Sequence, residues 1–186
     1  TFDQDDGTGH PELIAAAKRY VEQFQDRTKD GMGLLFYGPV GTGKTFLAGC
    51  IANAVIAQGY KVKLANFSTL ADEIWSAPDK AAYIADLASY PLLILDDLGA
   101  ERKTEYMMEM VYKVINARYV AGLPVIVTTN LTPDELTKAA DVTAARTYDR
   151  LIEKCLPVKV DGKSRRRAAA ADTWGAMRRQ LGLEGA

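Results

Sequence analysis

Apolar residues along this chain fall into two patterns that alternate from end to end. Residues at i, i+3 and i+4 spacing mark helices, and short unbroken apolar runs mark strands covered on both faces. Residues 11–26 carry Leu13, Ile14, Ala17, Tyr20, Val21 and Phe24 at helical spacing, with Pro11 in the first turn. A linker over residues 28–32 leads to Leu34-Leu35-Phe36-Tyr37, a short buried strand, then a glycine-rich turn and a helix over residues 46–58. Gly59 ends that helix, and residues 62–67 read as a second strand. Ser68 or Thr69 caps a helix to about residue 76, Pro78-Asp79 breaks it, and residues 80–89 form another. The run Leu92-Leu93-Ile94-Leu95 is a third strand. Residues 104–121 form a long helix striped by Met107, Met110, Val111, Val114 and Ile115, and residues 124–130 a fourth strand. Thr132 and Pro133 start a further helix, residues 143–154 are helical, and residues 156–160 are a fifth strand. After the Asp161-Gly162 turn an Ala-rich helix contains Trp174. Strands that are unbroken apolar runs, separated by helical segments, predict an α/β fold with a parallel sheet.

Composition narrows this reading. The 186 residues suit one domain, and 48% apolar content supplies a sizeable core. A net charge of −1 excludes a global attraction to nucleic acid, so any such contact rests on a local patch. Cys50 and Cys155 have no disulfide or metal-site spacing, which favours a reducing compartment and a cytoplasmic location. No apolar run approaches the roughly 18 residues of a membrane span, and the start lacks a signal-peptide pattern. Residues 1–10 read as a polar, mobile leader holding the only histidine, His10, for which the sequence suggests no partner. A start at Thr1 rather than Met suggests a piece of a longer protein. Trp75 and Tyr83 read as packing residues, with nucleic-acid stacking the lesser alternative.

The turn after the first strand spells G-x-x-x-x-G-K-T: Gly38, Pro39, Val40, Gly41, Thr42, Gly43, Lys44 and Thr45, followed by Phe46. This is the phosphate-binding P-loop. Its glycines let consecutive N–H groups approach an oxyanion, and the helix that follows adds its positive dipole end. Lys44 can reach the β- and γ-phosphates of ATP or the β-phosphate of ADP, and the Thr45 hydroxyl can ligate Mg²⁺. About fifty residues on, the third strand ends in Asp96 and Asp97, the Walker B pattern. Asp96 would hold the metal and Asp97 would activate water; many ATPases carry Glu at that second position, so hydrolysis should be slow. Asn130, at another strand's carboxyl end, is a candidate sensor of the γ-phosphate. Arg146 and Arg150 lie four residues apart on one helix face.

The succession G-P-V-G-T-G-K-T, L-L-I-L-D-D-L-G, V-I-V-T-T-N, Y-D-R-L and V-D-G-K-S-R-R resembles the AAA+ domain of DnaC/DnaI-type replicative helicase loaders. IstB-type transposition ATPases are close relatives of that group. The resemblance implies an ATPase domain over residues 11–167, with residues 168–186 as a helical extension, and a five-stranded parallel sheet ordered 5-1-4-3-2. It makes Asn130 sensor 1, Arg150 an arginine finger supplied to a neighbouring subunit, Arg146 a second interface arginine, and Arg166 or Arg165 sensor 2. It makes Lys103, Thr104 and Tyr106 candidates for contact with single-stranded DNA. The implied partners are single-stranded DNA, further copies in a ring or helical oligomer, and a replicative helicase. The loaders grip that helicase through an amino-terminal domain with no counterpart here. The alternatives are an IstB-type ATPase acting on duplex DNA and an assembly module that binds ATP with negligible turnover. A small-molecule kinase is disfavoured, because no arginine-rich lid separates Walker B from the sensor strand.

Overall fold

A computed structural model describes residues 1–4, 10–99, 105–138 and 142–182. A five-stranded sheet is built from β1 (Gly33–Tyr37), β2 (Val62–Asn66), β3 (Leu92–Leu98), β4 (Val125–Thr129) and β5 (Cys155–Lys159). Its strands are all parallel, in the order β2-β3-β4-β1-β5, which is the expected 5-1-4-3-2 read from the other edge. Successive residues of a strand face opposite ways. Leu34, Phe36, Leu92, Ile94 and Ile126 accordingly pack on one side of the sheet with α1 (Pro11–Glu22), α2 (Phe24–Asp30) and α3 (Lys44–Ala57). Leu35, Leu93, Leu95, Val125 and Val127 pack on the other. That side holds α4 (Phe67–Ser76), α5 (Lys80–Ser89), α6 (Glu105–Ala121), α7 (Pro133–Thr137) and α8 (Val142–Lys154). The last helix, α9 (Arg165–Gln180), follows β5.

These layers follow from the apolar runs. Ile51, Val55, Leu92, Leu93, Ile94, Leu95, Ile126 and Val127 are fully buried. Burial of each such side chain contributes about 1.5–3 kcal/mol. Of the stripe expected on α6, Met110, Val111, Val114 and Ile115 lie in the core, whereas Met107 is half-buried.

Two segments depart from expectation. The single helix expected over residues 11–26 is two, broken at Gln23 (φ −96°, ψ 14°), and the second reaches Asp30 before Gly31 ends it in a left-handed turn. The break brings Phe24 fully into the core, where it meets Tyr60 edge-on at 4.9 Å. His10 is also not a free leader residue. It precedes α1 and bonds the carbonyl of Asp161 through Nε2, while its Nδ1 lies 3.3 Å from Glu12. Residues 5–9 of the expected leader lie outside the described residues.

One buried cation ties the lower end of the sheet together. Arg118 of α6 is 1% exposed, and its guanidinium donates to the carbonyls of Ala88, Tyr90, Pro91 and Pro124. Those carbonyls flank the beginnings of β3 and β4, the two strands whose far ends carry the acidic and amide residues singled out by sequence.

Candidate active site

The carboxyl ends of β1, β2, β3 and β4 converge on one edge of the sheet, where open parallel α/β sheets place their ligands. The loop between β1 and α3 supplies the floor. Gly38, Gly41 and Gly43 have φ of 138°, 85° and 106°. A Cβ at Gly38 would overlap the Val160 carbonyl, and one at Gly41 would overlap the Ser164 hydroxyl. Gly38 and Gly41 are therefore required by backbone conformation and by close approach together, and Gly43 by its backbone conformation. Ser164 caps α9, and the Arg165 N–H donates to the Gly41 carbonyl at 2.9 Å, so the start of α9 is docked on the loop.

Lys44 opens α3 and is 6% exposed. Its ammonium donates to the carbonyls of Gly38 (2.8 Å) and Pro39 (2.7 Å) and to Asn130 Oδ1 (2.8 Å). The Asn130 amide N–H in turn donates to Asp97 Oδ1 at 3.3 Å. Asn130 thus bridges the loop cation and the second acid of β3. Thr42 is buried and donates to the Pro39 carbonyl at 2.9 Å, closing the loop on itself.

The two acids owe their placement to a bulge. β3 and β4 pair in register at Leu95 with Val127 and again at Leu98 with Thr129. Asp96 and Asp97 therefore oppose Thr128 alone, two residues against one. Adjacent residues of a regular strand would face opposite sides of the sheet, whereas here both acids line the same cavity. Asp97 takes φ +66°, and it is the one non-glycine residue at positive φ among those described. Such a conformation is a local cost that the surrounding bonds must hold. The Thr45 hydroxyl donates to Asp96 at 2.9 Å and 3.3 Å. A hydroxyl and a carboxylate this close form an oxygen-only pair suited to Mg²⁺, which needs only one or two protein ligands beside phosphate and water. Among the described residues no group of three His, Cys, Asp or Glu side chains could hold a metal ion.

Together these residues line a cavity of about 620 Å³, within the range of small-ligand sites. Val40 and Phe46 line it from the loop side, Asn66 from the end of β2, and Arg165 from α9 with its guanidinium 5.1 Å from the Phe46 ring centre. Sequence reasoning missed Asn66, although its position at a strand's carboxyl end was a usable signal. Of the two arginines considered for sensor 2, Arg165 reaches the cavity; the side chain of Arg166 lies outside the described residues.

Arg150 is elsewhere. Its guanidinium sits against the rings of Tyr112 (5.2 Å) and Tyr119 (5.5 Å), beside a small cavity between α6 and α8, and its buried Nη1 has no hydrogen-bond partner among the described residues. Bonding to Arg150 lowers the Tyr112 pKa below 10.0. Arg146 is exposed.

Lys103 and Thr104 lie outside the described residues. Tyr106 is half-buried, packs edge-on against Trp75 at 5.3 Å, and its buried hydroxyl has no hydrogen-bond partner among the described residues. The accessible ring of that pair is Trp75, which is 64% exposed with the Lys80 ammonium 4.3 Å from its centre.

A parallel αβα sheet in this strand order, with a P-loop before α3 and paired acids at the end of β3, defines a P-loop NTPase of the AAA+ class. More particularly, the chain belongs to the family of IstB-like ATP binding proteins, whose pattern matches residues 16–172. It is 30% identical over 154 residues to the replicative helicase loader DnaI of Bacillus subtilis, covering 76% of this chain and 50% of the loader. Over 172 residues it is 31% identical to an insertion-sequence protein of Mycobacterium tuberculosis named for ATP binding, covering 89% and 68% respectively. A crystal structure of DnaI superposes with a TM-score of 0.70 at 25% identity, covering 89% of each chain. The chain thus spans about half the length of the Bacillus loader. Among the described residues no helix is long and apolar enough to cross a membrane.

Proposed function

We propose that this chain is a cytoplasmic, ATP-hydrolysing switch that acts on single-stranded DNA as the ATPase part of a replicative helicase loader. The observation that carries the ATPase half is Asn130, which bonds both Lys44 and Asp97 and so joins phosphate binding to the acid that would act on water. Lys44 would exchange its neutral carbonyl partners for phosphate oxygens, and Arg165 would meet the triphosphate from α9. Thr45 and Asp96 would hold Mg²⁺, which supplies charge neutralisation across the β- and γ-phosphates. Asp97 would orient a water on the γ-phosphorus and accept its proton. The bond from that phosphorus to the bridging oxygen would break, leaving ADP and phosphate.

Arg150 does not line the chain's own cavity, which supports a role in a neighbouring subunit's site within a ring or helical oligomer. The DNA half rests on likeness to the loader DnaI and on the exposed Trp75 and Lys80. An exposed ring beside an ammonium suits a base stacked above a phosphate. A second reading, an ATPase that serves a transposase on duplex DNA, is favoured by the larger share of the insertion-sequence relative that the chain covers.

The test is the rate of ATP hydrolysis with single-stranded and with duplex DNA. Stimulation by single strands supports the loader, and stimulation by duplex supports the transposition partner. Unchanged, negligible turnover with either would leave a module that binds ATP only to assemble.

A further inference from the structure

Thr128 has no assigned role, yet its side chain lies at the centre of the bulge that aims both acids. It is 1% exposed and is the single β4 residue opposite Asp96 and Asp97. Its hydroxyl donates to Asp96 Oδ1 at 2.6 Å and accepts the backbone N–H of Asp97 at 2.9 Å. One oxygen atom thus bonds both residues of the extra pair. We infer that Thr128 is a positioning residue for the divalent-cation site, fixing the carboxylate of Asp96 and holding Asp97 in its left-handed conformation. The inference rests on reading Asp96 as a metal-holding residue, and it goes beyond that reading in naming what orients it.

Each alternative source of this order is weaker. Thr45 also bonds Asp96, but Thr45 would itself be drawn to the cation, so it cannot serve as an independent anchor. The bond to Oδ1 from Thr128 is the shorter, and among the described residues Oδ2 accepts only the 3.3 Å bond from Thr45. Thr128 therefore engages one oxygen and leaves the other the freer to ligate. Its second bond takes up the Asp97 N–H, which the bulge removes from the strand ladder. A valine in its place would keep the β-branched shape and remove both bonds. Outer-shell partners of this kind shift metal affinity or activity by about 10–100-fold when lost.

The test is a Mg²⁺ titration of binding to a fluorescent ATP analogue by the wild type and by Thr128→Val, Thr128→Ser and Asp96→Asn. In EDTA the wild type, Thr128→Val and Thr128→Ser should bind the analogue about equally, because the P-loop contacts are untouched. The Mg²⁺ concentration giving half of the tightening should rise about 10–100-fold in Thr128→Val, and the serine variant should restore it. A valine variant with wild-type Mg²⁺ dependence overturns the inference, even if its melting temperature falls, because Thr128 would then only support the sheet. A shift in Asp96→Asn but not in Thr128→Val refutes the role of Thr128 alone. No shift in either refutes the reading of Asp96 as well. Should the valine variant fail to fold, Thr128→Cys, which keeps a weak donor of similar volume, should fall between serine and the wild type on one side and Asp96→Asn on the other. Wild-type Mg²⁺ dependence in the cysteine variant would overturn the inference equally.

Discussion

Arg118→Met should be among the most destabilising single changes in this chain, although the residue lies far from the cavity. Arg118 makes five hydrogen bonds to four backbone carbonyls at a site 1% exposed. Burial pulls its pKa down to about 10, so the group stays charged at neutral pH and offsets its lost hydration through those carbonyls. Methionine fills much of the volume but leaves Ala88, Tyr90, Pro91 and Pro124 with unmet acceptors. An unmet buried group costs about 1–3 kcal/mol. Since Tyr90 and Pro91 are half-buried and water can reach them in part, a total of about 3–5 kcal/mol is expected, as for breaking a buried ion pair. For a domain of this size each kcal/mol moves the melting temperature by about 2–4 °C, giving a fall of about 6–20 °C. Thermal unfolding followed by circular dichroism measures it, with Arg118→Lys intermediate because three donors cannot span four carbonyls. A fall under about 3 °C in Arg118→Met would refute the reasoning, since the carbonyls would then have other partners or readily reached water.

Three further outcomes are expected. Arg150→Ala and Lys44→Ala should each hydrolyse almost no ATP, yet a mixture of the two should recover activity, because a finger acting in trans is worth about 10³–10⁵ in rate; a mixture that stays inactive where the wild type assembles and turns over makes Arg150 a structural or cis residue. Trp75→Ala should weaken binding to single-stranded DNA by about tenfold or more, in line with about 1–3 kcal/mol for a stacked base, and by more than Tyr106→Ala does; equal fluorescence-anisotropy curves for wild type and Trp75→Ala would remove that ring from the site. Glu135 accepts the Thr132 N–H and hydroxyl at the start of α7, which holds its folded pKa below 4.5. The folded state therefore binds this proton less readily than the unfolded one, so the stabilisation is complete above pH 4.5 and is lost as pH falls through the lower folded value. Acid unfolding of Glu135→Gln should lack that component, and a curve with the wild-type slope below pH 4.5 would refute it.

Much of this architecture is legible in the chain because its strands are buried on both faces. Leu34 to Phe36 and Leu92 to Leu95 need no alternation and stand out as apolar runs, and Gly38, Gly41 and Gly43 mark a loop whose backbone only glycine serves. The strand order came from family resemblance and not from spacing, since no local pattern says which strand lies beside which. Tertiary pairing also hid the bulge: Asp96 and Asp97 look like a plain strand end until Thr128, thirty-two residues from Asp96, is set opposite them. The bond from His10 to Asp161 spans 151 residues and leaves no local trace. Arg118 falls at helical spacing on the apolar stripe of α6, but its role as an anchor has no local signal, because only the fold brings its four carbonyls together. Trp75 was ambiguous for the opposite reason: an aromatic on an amphipathic helix is usually buried, and this one is turned outward beside Lys80.

The central claim is that one cavity binds ATP through Lys44 and hydrolyses it through Asp97. The most direct measurement sets nucleotide affinity and single-turnover hydrolysis side by side for the wild type, Lys44→Ala and Asp97→Asn. Lys44→Ala should lose tight ATP binding, whereas Asp97→Asn should keep it and lose turnover, because the lysine meets ground-state phosphate charge and the acid acts on water only in the transition state. Wild-type hydrolysis by Asp97→Asn, or undiminished ATP affinity in Lys44→Ala, would contradict the account.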